Sequence, residues 1–149
     1  MTVDQLPGAG RPASTDVPEL PLWRLNAMRV GYALMGIGLA VVKWPVVIGY
    51  DSSTPLFEGV VHILLTAMGL LAVLGLRYPV RLIPILLFEC LWKLMWLGIV
   101  ALPAVMAGDV DDAMGETIFS CSFVVVILAV TPWGYVWRHY VQAKGDRWR

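Results

Sequence analysis

Glu89 and Lys93, opposite charges one helical turn apart, lie inside the apolar run R-L-I-P-I-L-L-F-E-C-L-W-K-L-M-W-L-G-I-V-A-L-P from Arg81 to Pro103. On a helix Glu89, Trp92, Lys93 and Trp96 share one face, and Leu87, Leu91, Leu94 and Gly98 take the opposite one. A carboxylate and an ammonium so spaced, beside two indoles, can form an intrahelical ion pair with cation–π support. They can equally line a polar pocket for an amphiphile or exchange protons. Other titratable groups sit on other apolar stretches: Lys43 before Trp44-Pro45, and Glu58 and His62 one turn apart. Histidine changes charge near neutral pH, so His62 suits a proton role as well as a hydrogen-bonded packing role. Lys43 reads either as an interfacial lysine or as a partner for an acid on another helix.

The elements that must position these groups are membrane-length helices. The 149 residues are 58% hydrophobic and 15% charged, with a mean hydropathy of +0.72, far more apolar than a soluble domain. Four apolar runs, at about 25–43, 56–76, 82–103 and 116–137, each approach the ~20 residues that cross a hydrocarbon core. We expect an all-α membrane protein, a four-transmembrane-helix antiparallel bundle spanning 23–140, with a disordered tail over 1–22 and a basic terminus over 141–149. The Pro- and Gly-rich start, with three acids before the first apolar run, lacks the order of a cleavable signal. Gly36 and Ala40 let the first span approach a neighbour closely. Arg77-Tyr78-Pro79-Val80-Arg81 is a tight connection, so spans two and three should be antiparallel neighbours. Pro45 should end or kink the first span, Pro84 fits the first turn of the third, Pro103 should close it, and Pro132 should bend the fourth. The fourth span should turn Thr117, Ser120, Cys121, Val124, Leu128 and Thr131 inward.

Charge sorting sets the expected orientation. Arg11, Arg24 and Arg29 precede or open the first span, Arg77 and Arg81 lie between the second and third, and Arg138, His139, Lys144, Arg147 and Arg149 end the chain. The other two loops are acidic. An even number of crossings places all three basic segments on one side, which the positive-inside rule makes the cytoplasm, with both termini there. Counted from Arg81, Glu89 is then about 12 Å deep and Lys93 about 18 Å. Each charge at such depth costs about 2.5–3.5 kcal/mol. A surface-strength ion pair offsets little of that, so the pair should face the bundle interior, with His62, Glu58 and Lys43 converging on Lys93.

Chemistry beyond this is sparse. Cys90 and Cys121 form no metal or disulfide spacing and read as small packing residues. The acidic loop Asp109 to Glu116 lacks a calcium-loop pattern. Gly8-Ala9-Gly10 is not a phosphate loop, and His139 lies at the opposite end of the membrane from His62, which argues against paired haem ligation. No cofactor, metal or nucleic acid is called for, and no catalytic constellation supports an enzyme. The expected partners are the lipid bilayer and a membrane-protein partner or a second copy. A ligand-binding or accessory membrane subunit is the leading function, with a proton-coupled small-molecule transporter as the alternative.

The segment R-V-G-Y-A-L-M-G-I-G-L-A-V-V-K-W-P, Arg29 to Pro45, resembles the opening helix of small bacterial DoxX-like membrane proteins, which have four spans. L-G-L-R-Y-P-V-R (Leu74 to Arg81) and F-E-C-L-W-K (Phe88 to Lys93) resemble motifs of uncharacterised proteobacterial inner-membrane proteins. Some DoxX-like members accompany quinone-linked or thiol-linked redox enzymes, so the resemblance implies a subunit of a membrane redox complex and transfers no catalytic residue.

Overall fold

The computed structural model describes residues 20–51, 54–143 and 145. The expected tail over 1–19, with its Gly8-Ala9-Gly10, and Lys144, Arg147, Trp148 and Arg149 of the basic terminus lie outside the described residues. Among the described residues the chain is all-helical, and four helices are long and apolar enough to cross a membrane: Leu22–Ile48, Leu56–Arg77, Ile83–Ala107 and Asp112–Val130. We number these spans one to four. A short helix, Trp133–Val136, runs on into a wider π-helical turn, Trp137–Val141.

Local chemistry explains where the helices start, stop and deform. Span one runs through Pro45 to Ile48, forgoing the single bond that Pro45 cannot donate, and Gly49 closes it with its N–H on the Pro45 carbonyl at 3.0 Å. Span three takes Pro84 in its first turn but does not stop at Pro103. Instead Leu97–Ala101 forms a π-helical turn in which the Leu102 N–H reaches back to the Leu97 carbonyl. This wider turn accommodates the ring and missing donor of Pro103, and the helix continues to Ala107, where Gly108 ends it at φ 74°. Span four begins where Asp111 accepts the Met114 N–H at 2.7 Å, earlier than hydropathy suggests. It is interrupted at Phe123 and ends at Thr131. Thr131 is extended (φ −68°, ψ 127°) because Pro132 disfavours the helical region for the residue before it. Pro132 thus separates two helices rather than bending one.

Span one packs most extensively on span two, and span four touches spans one and three. Glycines set the approach. A Cβ at Gly36 would lie 3.2 Å from Val73 Cγ2, and one at Gly69 would lie 3.2 Å from Leu39 Cβ. Gly75 is occupied in effect by the buried ring of Tyr32, whose Cε1 and Cγ lie 2.6 and 2.7 Å from where a Cβ would stand. Tyr32 reaches past it to donate its hydroxyl to the Pro79 carbonyl at 2.9 Å. Gly31 gives similar room to Val130 of span four. The core so assembled holds Met28, Tyr32, Met35, Met68, Ala72, Ile83, Leu86, Val124 and Ile127.

Only 17% to 28% of the residues in the most apolar window of each span are buried. Phe57, Leu64, Phe88, Leu91, Phe119 and Val125 are among the large apolar side chains that point outward. An apolar exterior this extensive suits contact with a lipid bilayer. The Gly75–Tyr32 contact leaves no slack. Gly75→Ala should destabilise the fold by about 1–3 kcal/mol, the usual cost of overpacking, whereas Gly98→Ala, with open space around it, should be neutral or better. Thermal unfolding of both variants in detergent, followed by circular dichroism, checks the contrast.

Candidate functional site

Span three buries Ile83, Leu86, Glu89, Cys90 and Lys93, a run at helical spacing that carries both charges inward. Leu91, Leu94 and Gly98 are exposed, as expected for the outward side, but Leu87 is half-buried and packs against the core. The buried line is rotated toward Cys90 relative to the face drawn through Trp96. Trp92 and Trp96 therefore flank it, each only partly buried.

Glu89 retains 1% of its surface and Lys93 9%. Lys93 Nζ lies 2.9 Å from Glu89 Oε1. The second carboxylate oxygen, Oε2, accepts the Trp92 indole N–H at 2.7 Å. Both carboxylate oxygens thus have a donor, and both donors come from the same helix. The ammonium also reaches across to span four, donating to the Ser120 carbonyl at 3.4 Å, and it lies 5.7 Å from the centroid of the Trp92 ring. An isolated buried ion is prohibitive, but a pair with hydrogen bonds on both members is tolerable.

The acceptor on span four has a local cause. Ser120 stands just before the interruption at Phe123, where a tighter bond, Val126 N–H to the Phe123 carbonyl at 3.1 Å, replaces the regular ladder. Nearby, Ser122 Oγ donates to the Phe119 carbonyl at 2.6 Å and Thr117 Oγ1 to the Ala113 carbonyl at 2.9 Å. Such back-bonding satisfies hydroxyls on the helix's own backbone. It explains why Thr117 stays exposed although it was expected to face inward, and Ser120 is exposed as well. The inward line of span four is Cys121, Val124, Ile127 and Thr131. Thr131 is fully buried, with its hydroxyl on the Ile127 carbonyl at 2.7 Å.

The remaining candidates stand apart from this cluster. Glu58 is exposed in the first turn of span two, and Lys43 is half-buried on span one. His62 is half-buried; its Nδ1 is buried with no hydrogen-bond partner among the described residues, and its carbonyl accepts the Thr66 hydroxyl at 2.8 Å. No hydrogen bond or ion pair joins Lys43, Glu58 or His62 to Glu89 or Lys93 among the described residues. Span two has its broad interface with span one and a slighter one with span three. Sequence reading missed the Ser120 carbonyl, since a backbone acceptor carries no side-chain signal. Cys90 and Cys121 are buried, as their reading as small packing residues expects.

Among the described residues no group of three or more His, Cys, Asp or Glu could hold a metal ion. The described residues are all-helical, and their four long helices fit a multi-pass membrane protein by length and composition, with a closed ion pair inside one of them. No family model, curated protein or solved structure matches the chain.

Removing one member strands the other. Glu89→Gln or Lys93→Met alone should each cost about 3–5 kcal/mol, the range for a broken buried pair. The Glu89→Gln/Lys93→Met double variant should recover much of that loss, because neither charge is then left unmatched. Unfolding equilibria of all four proteins in mixed micelles give the coupling, and additive losses would show that the two groups act separately.

Proposed function

We propose that this protein is a four-helix antiparallel bundle of the bacterial inner membrane, with both termini cytoplasmic, and that it serves as a small ligand-binding or accessory subunit of a larger membrane assembly. The orientation rests on the basic segments around Arg24 and Arg29, Arg77 and Arg81, and Arg138, set against the acidic loop of Asp109, Asp111 and Asp112. The antiparallel order is supported by the contacts of span one with span two. Tyr32 meets Gly75, Gly36 meets Val73 and Leu39 meets Gly69, so the numbers rise on one helix as they fall on the other.

The observation that carries the subunit reading is the closed state of the Glu89–Lys93 pair. Its bonds are spent on Trp92, on each other and on Ser120, which links span three to span four. Broad apolar faces remain outside that contact, offering surface to lipid and to a partner span. A DoxX-like subunit of a membrane redox complex is the more specific form of this reading, and it rests on the Arg29–Pro45 segment alone. The transporter reading has one observation in its favour, the Nδ1 of His62, a buried imidazole nitrogen with no hydrogen-bond partner among the described residues.

Two measurements separate the readings. On native gels of membranes from the source organism, solubilised in mild detergent, the chain should migrate with a larger complex; a lone stable monomer would count against a subunit. In liposomes loaded with a pH-sensitive dye, the purified protein should give no proton flux above lipid alone. Flux that is lost in His62→Ala would favour the transporter instead.

A further inference from the structure

Three guanidiniums gather at the connection between spans two and three, and among the described residues no carboxylate forms an ion pair with them. Arg29 is exposed at the edge of span one, where its Nε donates to the Leu76 carbonyl at 3.2 Å and its Nη1 to Asn26 Oδ1 at 2.8 Å. Those two bonds fix the plane of the group and leave the Nη2 hydrogens unspent. Arg77, the residue after Leu76, donates from Nε to the Tyr78 hydroxyl at 3.1 Å, and its guanidinium carbon lies 5.6 Å from the Tyr78 ring centroid. Arg81 approaches the same ring at 5.8 Å and bonds no protein atom among the described residues. The backbone that carries them is anchored, because Tyr32 donates its buried hydroxyl to the Pro79 carbonyl between Arg77 and Arg81.

Segments 20–30, 76–82 and 133–143 contain no Asp or Glu. Like charges held this way repel, and an anion among them removes the repulsion. The guanidinium fork matches phosphate oxygens two at a time. The position at the ends of two membrane-length helices is that of a headgroup layer, where an exposed tyrosine such as Tyr78 also belongs. Below it, exposed Leu70, Val73 and Leu74 on span two give acyl chains an apolar track. That continuity favours a lipid over a soluble anion.

We propose that Arg29, Arg77 and Arg81, arranged around Tyr78, form a binding site for the phosphate headgroup of an anionic phospholipid. The site is separate from the Glu89–Lys93 pair and stands whether or not the chain is a subunit.

Native mass spectrometry of the full-length protein, released from detergent containing equal amounts of phosphatidylglycerol and phosphatidylcholine with the same acyl chains, tests it. The unaltered protein should retain phosphatidylglycerol preferentially. Arg81→Gln removes a group that bonds no protein atom among the described residues, so it should fold normally by circular dichroism. It should lower the preference about fivefold, the scale of one basic residue at a membrane surface. Arg77→Gln/Arg81→Gln should abolish the preference, and if that variant fails to fold, Arg81→Gln alone decides. Equal retention of the two lipids by the unaltered protein, or an unchanged preference in folded Arg81→Gln, overturns the site. Excess inorganic phosphate should leave the phosphatidylglycerol adducts in place. If it displaces them, the site is one for soluble phosphate and the lipid assignment falls.

Discussion

A carboxylate removed from both water and lipid has to find its donors inside the protein, and the Glu89 side chain finds them within two turns of its own helix. Trp92 lies three residues on and Lys93 four, so the spacing that makes the helix also makes the site. The ammonium then has capacity left over, and it spends part of it on the Ser120 carbonyl of span four. That bond is the step from local to tertiary structure. A pair satisfied only by its own helix could face in any direction, whereas one that also bonds span four fixes the rotation of span three about its axis.

Spans one and two are held by different means. Their close approach depends on Gly36, Gly69 and Gly75, which lack side chains where Val73, Leu39 and Tyr32 press in. Tyr32 then carries that contact to the next connection through its hydrogen bond to Pro79. One half of the chain is therefore organised by the absence of side-chain volume and the other by a matched pair of charges. Lipid offers no hydrophobic drive to bring helices together, so close packing and interhelical hydrogen bonds are the forces available. The limited burial of every span follows from this. A few tight contacts suffice, and the rest of each helix can remain apolar and outward.

Much of this was legible in the sequence. Four apolar runs gave four helices, and the i, i+4 charges with their neighbouring indole gave the centre of the cluster. Other features depend on facts that hydropathy does not carry. The start of span four is set by the capping carboxylate of Asp111, a polar residue in what reads as a loop, and its end by the backbone preference of Thr131 before Pro132. No hydrogen bond or ion pair joins His62, Glu58 or Lys43 to Lys93 among the described residues, and whether such groups bond depends on which helices share an interface. Periodicity gives the faces of a helix but not its partner, and span two turned out to be mated with span one. The Ser120 carbonyl was hidden for a different reason, since every residue has one and only the tertiary arrangement selects it.

The π-helical turn at Leu97–Ala101 also restores a phase. In an unbroken α-helix, eight residues beyond Lys93 the side chain would have drifted about 80° around the axis. Lodging one extra residue in the wide turn takes back most of that drift, to within about 20°. Ala101 is accordingly the one residue of that turn that is buried, returned to the side of the helix that holds Lys93. A helix long enough to cross a bilayer can thus keep a single seam against its neighbour without supercoiling around it.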